Sequence, residues 1–136
     1  MRQTVKNIFV NLPVKDLAKS VEFFTALGFA TNPAFSNENA ACLVLGEEIY
    51  SILTQEERFQ GYAPHPISNA HQVTEVLTAL GLDSKGDVNA LLERAVAAGG
   101  KITREDQGLD FMFSRAFADL DGHIWEIFWI DSGTVQ

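Results

Sequence analysis

Asp16-Leu17-Ala18-Lys19-Ser20-Val21-Glu22-Phe23-Phe24-Thr25-Ala26-Leu27-Gly28 decides the fold, because its pattern occurs twice. Leu17, Val21, Phe24 and Leu27 recur at helical spacing. Asp16 is suited to cap the first turn by accepting from its free amides, and Gly28 supplies the left-handed residue that ends a helix. Asp87 opens a second such stretch, with Val88, Leu91, Leu92, Ala95 and Val96 apolar and Gly99 beyond its end. Asp16 to Gly28 and Asp87 to Gly99 each span 12 positions, and the two stretches lie 71 residues apart. A repeat at this spacing predicts one supersecondary unit used twice.

The flanks extend the repeat. Val5–Val14 and Thr74–Leu82 are strand-like runs ahead of the two helices. After Gly28 come Phe29–Phe35, Ala41–Leu45 and Ile49–Thr54. After Gly99 come Lys101–Thr103, a polar loop to Asp110, Phe111–Phe117, the turn Asp119-Leu120-Asp121-Gly122, and His123–Ile130. Short apolar runs bounded by Gly, Asn and Asp clusters are strand signals. The expectation is an α+β fold of two tandem βαβββ modules, residues 1–60 and 73–136, with a linker over 61–72 inside a loop from Gln55 to Gln72. One helix covers one face of a four-stranded sheet and leaves the other needing a partner. Two modules would form an eight-stranded curved sheet with the helices outside and a central cup, a natural small-molecule site.

Strand alternation sorts residues to faces. Ile8, Val10, Leu12 and Val14 form an apolar row for the helix, which turns Asn7, Phe9, Asn11 and Pro13 toward the cup. In the last strand Trp125, Ile127 and Trp129 form the core row, leaving Ile124, Glu126 and Phe128 on the other. Glu126 is a lone carboxylate in Ile124-Trp125-Glu126-Ile127-Phe128-Trp129-Ile130, so it must be solvated at the rim, paired, or used as a ligand or base. His123 falls on the opposite face by parity, which opposes a His123–Glu126 metal pair. His65 and His71 read as loop residues. Most of Tyr50, Phe111, Phe113, Phe117, Trp125 and Trp129 are expected in the core.

Composition excludes several classes. The 136 residues carry a formal charge of −8 and one cysteine. Cys42 cannot form an intrachain disulfide and reads as a small buried hydrophobe. No basic cluster is available to bind nucleic acid or an anionic membrane. No run approaches the length of a membrane span, and no signal-peptide pattern follows Met1, so a cytoplasmic location is expected.

Leu12-Pro13-Val14-Lys15-Asp16-Leu17, with Ser20, Phe23-Phe24 and Leu27-Gly28-Phe29, resembles the opening of the glyoxalase/bleomycin-resistance/dioxygenase (vicinal oxygen chelate) superfamily. Phe117 to Glu126 looks like its closing signature, with Asp-Leu-Asp-Gly where Asp-Pro-Asp-Gly is usual. The closest look is to bacterial proteins related to lactoylglutathione lyase. The resemblance implies the paired-module fold and homodimerisation. For metal-dependent members it implies ligands at or near Phe9, near Ile52, near Leu77 and at Glu126; a slip of one residue puts Ser51 or Thr78 at the middle two. Only Glu126 is a strong donor, and catalytic zinc generally takes three protein ligands. No metal and no cofactor is therefore expected. The first expectation is a small-molecule-binding protein using Asn7, Phe9, Asn11, Tyr50, Ile52, Leu77, Glu126 and Phe128. The alternative is an isomerase or lyase with Glu126 as general base or metal ligand, and Asn7 or Asn11 bonding the developing oxyanion.

Overall fold

The computed structural model describes residues 2–105 and 110–131. The chain divides into two compact units, Met1–Ser68 and Asn69–Gln136. In the first unit the order is β1 (Ile8–Val14), α1 (Leu17–Ala26), β2 (Ala30–Asn32), a 3-10 turn at Pro33–Phe35, β3 (Ala40–Gly46), β4 (Ile49–Gln55) and α2 (Glu56–Tyr62). In the second it is β5 (Leu77–Gly81), α3 (Lys85–Ala97), β6 (Lys101–Arg104), β7 (Met112–Ala118) and β8 (Ile124–Ile130). The expected α+β class and tandem βαβββ modules are borne out. The strands pair as two four-stranded sheets, ordered β1-β4-β3-β2 and β5-β8-β7-β6. In each, the outer pair β1·β4 or β5·β8 is parallel and the other pairings are antiparallel.

Both helices end as their glycines dictate. Gly28 and Gly99 have φ of +106° and +112°, where a side chain would be strained. In each, the glycine N–H bonds three residues back and the next N–H five residues back: Gly28 to Thr25 and Phe29 to Phe24, Gly99 to Val96 and Gly100 to Ala95. Those paired bonds form a Schellman motif that satisfies the last carbonyls.

The beginnings differ. Asp16 caps α1, accepting from the Lys19 N–H at 3.2 Å. The second helix starts before Asp87: Ser84 is its cap, accepting from the Asp87 N–H at 3.0 Å, and Asp87 sits in the first turn. A hydroxyl in extended backbone does what the carboxylate was expected to do, and α3 has 13 residues against 10 in α1. The expected loop Gln55–Gln72 also contains a helix, α2. Glu56 and Glu57 lie in its first turn, where the helix dipole favours acidic groups. Gln60 then brackets the following segment, donating to the His65 carbonyl and accepting from the Ile67 N–H. The strand expected over Phe29–Phe35 stops at Asn32, whose side chain accepts from the Ala34 N–H and starts the 3-10 turn.

The core of the first unit is Leu12, Val14, Phe23, Phe24, Leu27, Ala41, Leu43 and Leu53. The core of the second is Val88, Leu91, Leu92, Ala95, Ala116, Phe117, Trp125 and Ile127. The helix-facing row of β1 is buried only at its far end, since Ile8 is 57% exposed. Cys42 is fully buried, and burial pushes its thiol pKa up, as suits an inert core residue. Of the six aromatics expected in the core, only Phe117 and Trp125 are fully buried. Phe111 is exposed and Tyr50, Phe113 and Trp129 are half-buried. The Lys85 ammonium lies over the Phe113 and Trp129 rings, 5.9 and 5.6 Å from their centroids, so these rings meet a cation and not apolar neighbours alone.

Candidate ligand site

In the second sheet, α3 covers the face carrying Phe113, Arg115, Phe117, Trp125, Ile127 and Trp129. Arg115 on that face donates to Asn89 of α3 at 2.8 Å. The face away from α3 carries Ser114 and Ala116 of β7, Glu126 and Phe128 of β8, and Leu77, Ala79 and Gly81 of β5. The ladder sets Ala116 and Ala79 on either side of Glu126, and Ser114 and Gly81 on either side of Phe128. Parity places Glu126 and Phe128 on one face of the last strand, as observed, and the ladder sets Leu77 beside Ile124 on that same face. Leu77 is exposed there, and Gly81 leaves room for the Phe128 ring, 3.1 Å from where its Cβ would stand.

Glu126 is paired. Arg104 Nη1 donates to its Oε2 at 2.6 Å, and Arg104 Nη2 donates to the Ser114 hydroxyl. Arg104 and Ser114 were not singled out in the sequence. Strict alternation from Ile102, which lies opposite Phe117, would put Arg104 on the helix-covered face. The β6–β7 register shifts between Ile102 and Arg104, so Arg104 lies opposite Ala116 and joins Glu126. A β-bulge of this kind re-aims a side chain, and it left no mark in the local hydrophobic pattern. The guanidinium has further donors, and its Nε is buried with no partner among the described residues.

The remaining candidates lie in the first sheet, on the face away from α1. Phe9 stacks on Tyr50, with centroids 4.6 Å apart and planes 11° apart, and meets Phe35 edge-on at 5.6 Å. Phe35 is 55% exposed and went unremarked in the sequence, being read as the end of a strand. Asn11 and Ile52 are ladder neighbours on this face. Asn11 folds back to donate to the Phe9 carbonyl at 3.3 Å. Asn7 is half-buried just before β1.

A metal ion implied by the superfamily does not fit these residues. Of the implied positions, Phe9, Ile52 and Leu77 present no donor atom. Ser51, one alternative, spends its hydroxyl on the Val10 carbonyl. No group of three His, Cys, Asp or Glu side chains gathers among the described residues. The one fitting donor, Glu126, has a cation beside it already. His123 belongs to the β7–β8 turn, where its N–H bonds Asp119.

That turn organises the approach to β8. The Asp119 carboxylate accepts from the Asp121 and His123 N–H groups and from Trp125 Nε1 at 2.9–3.0 Å. Burial raises the Asp119 pKa, against a lowering by His123 and the three hydrogen bonds. Gly122, at φ +89°, lies so close to the chain before β5 that a Cβ would stand 2.7 Å from the His71 nitrogen.

A family model described as bleomycin resistance protein-like N-terminal matches residues 6–46. Among solved structures, hypothetical protein SA1046 from S. aureus is 27% identical with a TM-score of 0.79, over 93% of this chain and 95% of that one. A glyoxalase-related enzyme from Fulvimarina pelagi is 24% identical with a TM-score of 0.76, over 95% and 88% of the chains. The fosfomycin resistance protein FosX from Listeria monocytogenes is 18% identical with a TM-score of 0.66, over 95% and 94%. No curated protein matches. The fold is the one shared by structures described as glyoxalase/bleomycin resistance protein/dioxygenase, and the opening segment is similar to the bleomycin resistance protein-like N-terminal family.

Proposed function

We propose that this chain binds a small organic molecule on the sheet faces turned away from its helices, with no metal taking part. The carrying observation is the Arg104–Glu126 ion pair, which sits with Ser114 among apolar neighbours on the face turned away from α3. A strand residue with only a packing role would be apolar there, and an exposed carboxylate would need no arginine aimed at it by a bulge. On the first sheet, stacked Phe9 and Tyr50 with Phe35 beside them offer a flat apolar surface for a ring or chain. Asn7, Asn11 and Ile52 complete the proposed contacts of the first sheet's face, and Leu77 and Phe128 those of the second sheet's face, each within its own unit. A cytoplasmic homodimer is the proposed setting, which sedimentation and fractionation would test.

A thermal-shift screen of small organic compounds tests the reading, because a ligand of the folded state raises the melting temperature. Hits should stabilise the wild type equally with and without EDTA and stabilise Glu126→Gln less. Hits that vanish with EDTA, or that ignore the substitution, would count against it.

A second reading is an isomerase or lyase with Glu126 as base. It is favoured by the ion pair engaging Oε2, which among the described residues leaves Oε1 to approach a substrate proton. Turnover of the methylglyoxal–glutathione adduct or of fosfomycin, lost in Glu126→Gln while binding persists, would support this reading over simple binding.

A further inference from the structure

The binding reading leaves the ligand's chemistry open, and the Arg104–Glu126 pair narrows it. We infer that this pair is a clamp for an uncharged carbonyl compound, with Arg104 donating to the carbonyl oxygen. The inference rests on the binding reading and specifies its ligand.

Three observations carry it. First, the guanidinium is fixed. One terminal nitrogen is held by Glu126 at 2.6 Å and the other by Ser114, and the β6 bulge delivers Arg104 to this face. A fixed planar fork loses little entropy on meeting an acceptor. Second, donors remain. Of the five N–H bonds of a guanidinium, two are engaged among the described residues, and the side chain is 34% exposed. Third, the charge is already balanced. Glu126 neutralises Arg104, and the chain as a whole carries −8, so an added carboxylate or phosphate finds no unpaired cation here. A neutral acceptor needs only the spare N–H groups. The neighbours Phe128, Leu77, Ala79 and Gly81 offer contact to an apolar body and no second charge.

Three probes of one shape separate the possibilities: acetophenone with a neutral carbonyl, benzoate with a carboxylate, and ethylbenzene with no acceptor. Each is titrated into isotopically labelled protein while the backbone amides of Ser114, Ala116 and Phe128 are followed by NMR. Acetophenone is expected to bind about tenfold more tightly than either of the others, the worth of one hydrogen bond to a charged donor. Arg104→Met should bring acetophenone down to the level of ethylbenzene. Arg104→Lys, which keeps the charge without the fork, is the second variant and should lose most of the preference. Equal binding of acetophenone and ethylbenzene to the wild type would overturn the clamp and leave the binding reading standing. Tightest binding by benzoate would overturn the uncharged class. A preference that survives both substitutions would remove Arg104 from recognition. No response to any probe would overturn both readings.

Discussion

Glu126 could be singled out because a lone carboxylate in an apolar strand has to be solvated, paired or used, and parity assigned its face correctly. Its partner could not, because Arg104 is 22 residues away and reaches it only through a bulge that alternation from Ile102 hides. Asp119, unlike the half-buried Glu126, is a buried carboxylate. Its folded-state pKa is raised by burial, so the folded chain holds this proton to higher pH than the unfolded chain. This contribution favours the fold fully below the ordinary aspartate range and is lost as pH rises through the raised value. Urea melts of wild type and Asp119→Asn over about pH 3 to 7 should therefore show the wild type losing ground relative to the variant as pH rises. A wild-type advantage that grows with pH would contradict this. Gly122→Ala should cost more than about 2 kcal/mol, read as a lowered urea midpoint. It combines a positive φ with a Cβ driven into the backbone at Ala70 and His71.

At the scale of elements, the helix ends were more legible than the starts. Gly28 and Gly99 occur where only a left-handed residue ends the turn, so their signal is nearly unambiguous. Helix starts can be capped by Ser as well as Asp, and in Ser84-Lys85-Gly86-Asp87 both are present. Ser84→Ala should destabilise by about 1 kcal/mol, and Asp87→Ala by less, since only Ser84 accepts the capping bond. Thermal melts of the two variants check the order, and a larger loss for Asp87→Ala would return the helix start to the expected place. α2 was missed because its seven residues show no apolar periodicity, only Phe59 and Tyr62 beside Gly61. Its order comes from acidic residues in the first turn, contacts with β1 and β4, and the two bonds of Gln60.

For the molecule as a whole, duplication made the architecture readable, because a pattern seen twice fixes the number of strands in each module and their succession around one helix along the chain. The chemistry was only half readable. The absence of donors at Phe9, Ile52 and Leu77 stands in the sequence, whereas the cation that meets Glu126 depends on register. No helix among the described residues is long and apolar enough to cross a membrane. A protein cation, Arg104, stands at Glu126, the position where the resemblance implies a metal ligand. Calorimetric titration of zinc, nickel and manganese into metal-stripped wild type and Glu126→Gln tests it most directly. Neither protein should show a stoichiometric site, and the two should give the same trace. A one-to-one metal site in the wild type that disappears in Glu126→Gln would contradict the account.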